Sequence, residues 1–359
     1  MIRKTAATTY VTDPINLGAS PVLLRQDPIT PTEVFFVRNH APIPAIAAGD
    51  YRLVVDGLVQ QSVTLKLEEL QRRFAPHTVV ATLQCAGNRR RELTELQPID
   101  ATEIVWDMDA ISTASWTGVR LRDLLAVVAP QPQAAHVAFL GLDHVDKIQD
   151  GFGGSIPLDK AWDGDVLLAY AMNGAPLPPT HGYPLRVIVP GYIGARSVKW
   201  VGRITVQESP STNYYQAHAY KLFPPEVTGA TVNWDEGEML GALPINSFII
   251  SPRVGERVPT GALTVQGIAL PGDAATLERV ELSCDGGQTW CAATLTAPAQ
   301  RWTWCFWEVT CTLPAGRHEL VVRAFDSAGH TQPQHLRDVW NFKGYVNNAY
   351  HRVMLECGD

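Results

Sequence analysis

Hydrophobic and polar positions give the first part of the chain a mixed pattern. The stretch from Tyr51 to Val59 alternates like a strand, whereas Leu67, Leu70 and Phe74 recur at helical spacing. RLRDLLAVVA predicts a second amphipathic helix, and TVVATLQCAGN predicts a strand that runs into a Gly turn. HVAFLGLD and YPLRVIVPGYIG predict buried strands. This mixture predicts an α+β domain with mixed sheets.

The pattern changes after about residue 240, where short strands follow one another at regular spacing. Val280, Leu282 and Cys284 alternate with polar residues, and the Asp-Gly-Gly at 285–287 predicts a tight hairpin turn. Such a series predicts an all-β sandwich of immunoglobulin type. Three tryptophans are expected in its core: Trp302, Trp304 and Trp307.

Length and composition favour two globular domains. The chain has 359 residues, of which 46% are hydrophobic and 18% are charged, a balance that can bury large cores. The polar stretch NWDEGEMLGALP marks the change of pattern. We therefore place a catalytic domain at residues 1–240 and a sandwich at residues 241–359.

Charge and hydropathy exclude several classes of protein. The net charge of −7 argues against a nucleic-acid surface. No apolar run approaches the roughly 20 residues that cross a bilayer. The N-terminal MIRKTAATTYVTD has no apolar segment of the kind found in secretory signals. These features predict a cytoplasmic protein if Met1 is the true start, and a periplasmic one if the N-terminus was trimmed.

The six cysteines are unevenly distributed. Cys85 stands alone in the first 280 residues, and the other five lie in the strand-rich C-terminal part. No CxxC occurs, so a zinc ribbon or a thioredoxin-like site is not indicated. Cys284, Cys291, Cys305 and Cys311 are interpreted as reduced, packed small residues, although the sequence leaves their disulfide state open.

The strongest local candidate for chemistry is TLQCAGNRRR. A predicted strand delivers Cys85 to a turn, and Arg89, Arg90 and Arg91 follow. Nearby positive charge favours thiolate over thiol, so Cys85 is a candidate nucleophile or metal ligand. The plainer interpretation is a buried Cys before a solvated basic helix. On the residues alone the two interpretations are equally good.

Two further segments carry cations beside predicted buried strands. FFVRNH ends in Arg38 and His40, and HGYPLRVIVPGYIGARSVKW brings four basic residues around one strand. Cations near Gly turns suit an anionic, phosphate-bearing ligand, although scattered surface cations would give the same pattern. GFGGS matches no phosphate-loop spacing and is predicted to be a flexible loop.

The motifs together resemble the sulfite oxidase family in order and spacing. They include FFVRNH, ATLQCAGNRR, AISTASW, LAYAMNGAPLP, HGYPLRVIVPGYIGARSVKW, YKLFPP and WNFKGYVNNAYHRV, and the likeness runs from about residue 30 to residue 353. The resemblance implies a molybdenum-pterin domain followed by an immunoglobulin-like dimerisation domain.

The resemblance also implies roles for individual residues. Cys85 would bind molybdenum beside the dithiolene sulfurs of the pterin, because soft thiolates support changes of metal oxidation state. The substrate would be surrounded by Arg38, Arg90, Trp106 and Tyr220. The pterin and its phosphate would be held by His40, Asp143, His181, Arg186, Arg196, Ser197 and Lys199. The loop around Asp143 differs from the family pattern.

The implied activity is oxidation of sulfite to sulfate by oxygen-atom transfer. No CxxCH occurs and no haem-binding domain precedes residue 30, so the cofactor set is Mo-pterin without haem. Electrons would pass to a separate acceptor, either cytochrome c or oxygen. The resemblance further implies a homodimer, with no nucleic-acid or membrane partner.

One departure and three alternatives qualify the assignment. Lys343 stands where sulfite oxidases carry Arg; Lys keeps the charge but loses the bidentate fork, so weaker sulfite binding is expected if it lines the anion pocket.

Nitrate reductases carry Asn in place of Tyr220, which favours sulfite over nitrate or another oxyanion or sulfoxide substrate. A cysteine hydrolase lacks a nearby His base. A non-catalytic cofactor carrier is disfavoured by the retained Cys, Arg and Tyr.

Overall fold

A computed structural model describes residues 7–272, 275–296 and 300–358 of the chain. Strands dominate, and the longest helix of the described residues has eight residues. Within those ranges, no helix combines the length and apolar character that crossing a bilayer requires. Residues 1–6, the start of the segment judged not to be a secretory signal, lie outside the described residues.

Among the described residues before 240 there are fourteen strands, five short α-helices, two 3-10 helices and one π-helix. The strands are β1 (Thr8–Thr12), β2 (Ile15–Gly18), β3 (Leu53–Gly57), β4 (Val63–Leu65), β5 (His77–Gln84), β6 (Ile111–Arg120), β7 (His136–Gly141), β8 (Gly153–Pro157), β9 (Leu167–Met172), β10 (Ala175–Pro176), β11 (Arg186–Ile188), β12 (Val201–Gln207), β13 (Lys221–Leu222) and β14 (Glu238–Met239). The helices are α1 (Pro21–Leu24), α2 (Leu67–Arg73), α3 (Arg90–Thr94), α4 (Leu121–Val128) and α5 (Leu158–Ala161).

Two sheets organise this part. One is antiparallel, in the order β10-β9-β6-β5 with β11 paired to β9. The other has the order β4-β3-β12-β7-β8 and is mixed, because β12 pairs parallel with β3 and antiparallel with β7. The prediction of mixed sheets and of helices at α2 and α4 is confirmed. The helices are few and short, so the protein is mostly β rather than an even α+β mixture.

The GFGGS segment is not the flexible loop that the sequence predicts. Its last three residues open β8, which pairs with β7. A side chain at Gly154 would place its Cβ 2.9 Å from Nη1 of Arg196. The glycine therefore leaves room for a buried guanidinium, a use of glycine that requires close approach rather than flexibility.

Nine strands form the C-terminal part as far as the structure describes it. They are β15 (Asn246–Ser251), β16 (Arg257–Val258), β17 (Gly261–Leu270), β18 (Leu277–Ser283), β19 (Cys291–Ala292), β20 (Thr294–Leu295), β21 (Cys305–Leu313), β22 (Gly316–Asp326) and β23 (His351–Cys357). They build a four-stranded sheet, β15-β17-β21-β20, and a five-stranded sheet, β16-β23-β22-β18-β19. Both sheets contribute to one core, for example through Val265, Trp307, Leu282 and Val322.

The turn between β18 and β19 is longer than predicted. Gly286 and Gly287 have φ values of 75° and 100°, as the Asp-Gly-Gly sequence indicates. The last ladder pair is Leu282 with Cys291, however, so the glycines lie inside a long connection rather than a tight hairpin. Asp285 closes this connection by accepting hydrogen bonds from the backbone N–H groups of 288 and 289. All six cysteines are free thiols.

Two of the three tryptophans expected in the sandwich core pack outside it. Trp307 packs between the sheets as expected, but Trp302 and Trp304 belong to the hydrophobic cluster of the first part. The Trp302 carbonyl accepts a 2.8 Å hydrogen bond from Thr82 N on β5, and the Trp304 indole donates to the Pro28 carbonyl. Apolar packing is therefore continuous across the predicted boundary near residue 240, whose position stays a prediction.

A buried guanidinium also joins the two parts. Arg89 has a left-handed φ of 65° and grips Glu92 with two hydrogen bonds of 2.7 Å. Its third donor bonds Asn246, the first residue of β15, at 2.7 Å. The Asn347 amide donates to the Arg89 carbonyl. The strained turn is thus held by contacts with both parts of the chain.

Replacing Arg89 by Met should lower the free energy of unfolding by about 3 kcal/mol, because Glu92 keeps a largely buried charge without its partner. Arg91→Met is the matched control, since the Arg91 side chain is 55% exposed and its ion pair spans 3.8 Å. That change should cost less than about 0.5 kcal/mol. Chemical denaturation of both variants measures the difference, and equal losses would contradict the structural role.

Candidate active site

Cys85 lies at the end of β5, in a turn fixed by backbone hydrogen bonds. Its N–H donates to the Ala110 carbonyl, and its carbonyl accepts from Asn88 N at 3.0 Å. The Asn88 side chain in turn accepts from Ala110 N. The thiol is 6% exposed, so the turn presents a largely buried sulfur at a defined position. Such a sulfur suits a fixed ligand better than a freely exchanging surface thiol.

The three arginines after Cys85 do not act together on the thiol. Arg89 turns to Glu92, and Arg91 points to solvent beside Asp107. Arg38 from FFVRNH lines the cavity together with Cys85, and none of the three arginines after Cys85 does. Burial lowers the pKa of Arg38, but nearby acidic groups, Glu103 among them, raise it by more. A cation distant in sequence, and not the RRR motif, therefore shares the cavity with the sulfur.

Most of the predicted site residues line one cavity. It encloses about 680 Å³ of unfilled space including its mouth. Nine of the thirteen predicted residues line it: Arg38, His40, Cys85, Asp143, His181, Arg186, Ser197, Lys199 and Tyr220.

The other four predicted residues lie behind the cavity wall. Arg196 is buried between two lining neighbours. Trp106 is fully buried, and its indole N–H has no hydrogen-bond partner among the described residues. Arg90 and Lys343 belong to an ionic cluster next to the cavity. The substrate roles of Arg90, Trp106 and Lys343 stay predictions.

Two buried arginines, one on the cavity lining and one next to it, carry charges that backbone carbonyl groups solvate. Arg186 donates to the carbonyls of His181 and Ser197, and Arg196 donates twice to the Leu240 carbonyl. Burial lowers the pKa of Arg186 to about 9 and that of Arg196 to about 10. Neither forms an ion pair with a carboxylate of the described chain, and Nη1 of Arg196 has no partner there.

Further polar groups line the same cavity. Lys199 donates to the Asn39 side chain and, at 3.2 Å, to the Thr180 carbonyl. The Ser197 hydroxyl accepts from Val189 N. Asp143 accepts from Phe152 N, and burial raises the pKa of its carboxyl. Asn39 was not predicted, although it lies inside the FFVRNH motif.

An aromatic and imidazole group forms the wall near Cys85. Tyr220 Oη lies 3.0 Å from Nε2 of His40, whose ring packs against Phe152 and Tyr215. Burial, with Arg38 and Lys199, holds the pKa of His40 well below its usual value, so the imidazole is neutral. Burial also raises the pKa of Tyr220, which keeps its phenol protonated. Arg38 is thus the permanent cation of this wall.

An ionic cluster stands beside that wall. Lys343 Nζ lies 2.9 Å from Asp100 Oδ2 and 2.5 Å from Glu103 Oε1. Arg90 Nη2 lies 3.2 Å from Glu103 Oε2. Lys343 is therefore neither on the cavity lining nor directed to solvent. The two acids were missed in the sequence because they fall in the irregular segment between α3 and β6, where no periodicity marks them.

The residues present fit a molybdenum-pterin cofactor with a phosphate. The unpartnered Nη1 of Arg196 and the carbonyl-solvated Arg186 are suited to an anion. Cys85 supplies a soft sulfur donor on the lining of the same cavity. When bound there, the cofactor supplies two-electron redox chemistry and an exchangeable oxygen.

Comparison with known proteins identifies the family. Residues 40–215 match the model of the oxidoreductase molybdopterin binding domain, and residues 238–357 match that of the Mo-co oxidoreductase dimerisation domain. A plant relative, the sulfite oxidase of Arabidopsis thaliana, is 35% identical over 96% of this chain and 93% of its own length. The chain belongs to the sulfite oxidase family. The resemblance drawn from the sequence motifs is confirmed.

Other relatives show how far the likeness extends. The mitochondrial sulfite oxidase of Homo sapiens is 44% identical over 95% of this chain, which spans 64% of the length of the human protein. The solved structure of the sulfane dehydrogenase SoxCD from Paracoccus pantotrophus superposes with a TM-score of 0.81 at 27% identity. It covers 95% of this chain and 84% of its own. The matched molybdopterin binding domain confirms the predicted Mo-pterin cofactor.

Replacing Cys85 by Ser should leave the fold intact and remove most of the bound molybdenum, because a hydroxyl is a harder and less readily deprotonated donor. Metal analysis of the purified variant, with circular dichroism for the fold, measures this. Cys291→Ser is the control, since that thiol is exposed and remote from the cavity. A Cys85→Ser protein with a full complement of molybdenum would remove Cys85 from the metal site.

Proposed function

We propose that this chain oxidises sulfite to sulfate with a molybdenum-pterin cofactor. The observation that carries the proposal is the shared wall on which Cys85, Arg38 and Tyr220 meet. The reaction consumes one sulfite and one water and yields sulfate, two protons and two electrons. The family membership and the sulfite oxidases of human and Arabidopsis support this choice of substrate.

The residues of the chain bind and orient the reactants. Cys85 holds the cofactor together with the residues predicted to bind the pterin. Its phosphate is held by Arg186, Arg196, Ser197 and Lys199. Arg38 provides a fixed positive charge for a sulfur oxyanion. Tyr220 stays protonated and offers a hydrogen bond that fixes the oxyanion beside the metal position. Neutral His40 supports the Tyr220 hydroxyl without adding charge.

The electrons are proposed to leave to a separate acceptor, cytochrome c or oxygen. Nitrate reduction is the second candidate, because it uses the same kind of scaffold. The buried phenol of Tyr220 favours sulfite, since its position corresponds to Asn in nitrate reductases by the resemblance of the motifs. A cytoplasmic or periplasmic location stays a prediction.

Sulfite should bleach the oxidised cofactor absorbance in a stopped-flow experiment, and nitrate should not reoxidise the reduced protein readily. Tyr220→Phe should lower kcat by roughly five- to a hundredfold, the effect of about 1–3 kcal/mol from one charge-assisted hydrogen bond. Tyr215→Phe is the matched control, because that ring packs beside His40 but is not on the cavity lining. Fast turnover of nitrate together with inertness toward sulfite would reverse the assignment.

We also propose that the C-terminal sandwich is of immunoglobulin type and mediates a homodimer, and that the catalytic domain ends near residue 240. The two facing sheets around one apolar core support the first part of this proposal. The match of residues 238–357 to a dimerisation domain supports the second and third parts.

Light scattering at micromolar concentration should give about twice the 39.3 kDa chain mass, because an interface of this kind buries enough apolar surface to persist on dilution. Gel filtration over a hundredfold range of concentration checks that the mass is constant. A particle of single-chain mass throughout that range would refute the dimer.

A further inference from the structure

A carboxylate stands among the cations that the family likeness assigns to the substrate. Glu103 contacts Arg90 through Oε2 at 3.2 Å and Lys343 through Oε1 at 2.5 Å. The Tyr345 hydroxyl donates to the same Oε1 at 3.1 Å. The Glu103 side chain is only 13% exposed. Nothing in the sulfur chemistry proposed above requires an acid at this place.

Glu103 is ionised despite its burial. Burial raises the pKa of its carboxyl, but the charges of Arg90, Lys343 and Arg38 lower it below the usual value. The charge of Glu103 in turn acts on Arg38 and Tyr220, which both line the cavity. The carboxylate therefore influences the anion site directly through space.

Tyr345 links the carboxylate to the cavity wall. Its ring stacks on Tyr220 with centroids 5.3 Å apart, and the Arg90 guanidinium lies 5.0 Å from its centroid. Arg90 also donates to the carbonyls of Gly344 and Ile104, so its orientation is fixed. These contacts leave Glu103 little freedom to move away when a ligand binds.

A second acid, Asp100, also offsets the positive charges of this cluster. Asp100 accepts from Lys343 at 2.9 Å, and hydrogen bonds from Lys343 and Thr102 outweigh burial and lower its pKa to about 2. Arg38, Arg90 and Lys343 thus carry three positive charges against two carboxylates. Among these five side chains one net positive charge remains, which matches a monoanion. A dianion would bring a second negative charge close to Glu103 in a poorly solvated site.

We propose that Glu103 is a specificity-determining residue that sets the anion site for singly charged bisulfite in preference to the sulfite dianion. It acts by offsetting the charges of Arg38, Arg90 and Lys343, and is a positioning residue rather than a catalytic one. This inference rests on the proposed function. The balanced reaction takes one bisulfite and one water to sulfate, three protons and two electrons, with the electrons passing to the separate acceptor. The dianionic product is then disfavoured in the same site, which promotes its release.

Competition between two sulfur oxyanions tests the charge preference independently of turnover. Methanesulfonate is a monoanion and sulfate is a dianion, and calorimetry measures the binding of each to the molybdenum-loaded protein. The wild type should prefer methanesulfonate. Glu103→Gln keeps the shape and removes the charge, so it should tighten sulfate by about tenfold more than methanesulfonate. Glu103→Asp, which keeps the charge, should restore much of the original preference.

Glu281→Gln is the matched control, because Glu281 also lies between two arginines, with contacts of 3.1 Å to Arg279 and 2.6 Å to Arg323. It lies on β18, in the C-terminal sandwich, and should leave both affinities unchanged. Asp100→Asn is a second test, on a side chain that is 27% exposed. It should shift the preference in the same direction as Glu103→Gln, by a smaller factor, and keeps the proposal testable if the Glu103 variant does not fold.

The pH profile of KM gives a kinetic readout that a purely structural role would not move. Bisulfite loses its proton near neutral pH, so the wild-type KM for total sulfite should rise through that range. The profile should flatten in Glu103→Gln. An unchanged preference for methanesulfonate in both charge-removing variants would overturn the proposal. Failure of sulfite to reduce the cofactor would instead refute the proposed function, and the anion-binding data would still decide the role of Glu103.

Discussion

Burial of positive charge is the constraint on which the cofactor end of this structure depends. Arg186 and Arg196 are 4% and 1% exposed, and their hydrogen bonds go to backbone carbonyls. Carbonyl dipoles solvate a guanidinium but do not neutralise it, so the folded chain retains an unfavourable charge that an anionic ligand relieves. Binding of such a ligand also stabilises the fold by linkage. The turn at Cys85 places a sulfur donor on the lining of the same cavity.

Under the proposed function, the substrate side has the opposite requirement, which is reversible binding. A resident cofactor benefits from uncompensated charge because it has to stay, whereas a substrate has to arrive and its product has to leave. Glu103 and Asp100 reduce the attraction of Arg90 and Lys343 for anions, and Arg38 remains on the cavity wall. Tyr220 adds a directional hydrogen bond without charge. In the proposed enzyme, affinity is thereby divided between a permanently bound cofactor and a substrate that turns over.

The sequence predicted the parts of the fold that depend on local periodicity, and the site residues that lie in recognisable motifs. The strands at β5, β7 and β11 and the helices α2 and α4 follow directly from apolar spacing. Long-range contacts were not accessible in this way. Trp302 packs outside the sandwich core, against β5, and Arg38 rather than the RRR segment lines the cavity with Cys85. Glu103 was not predicted, because a carboxylate in an irregular segment follows no periodic pattern and its partners are known only from the fold.

The same reasoning changes what Lys343 means. Taken alone, Lys in place of Arg suggests a weaker anion grip, which a single Lys343→Arg change would repair. In the structure the ammonium is already shared between Asp100 and Glu103. A guanidinium there would first bond these two carboxylates, because their geometry offers the fork its acceptors before any anion does. The position is therefore one member of a charge cluster. Its effect on substrate binding is set by the balance of the cluster and not by the identity of one cation.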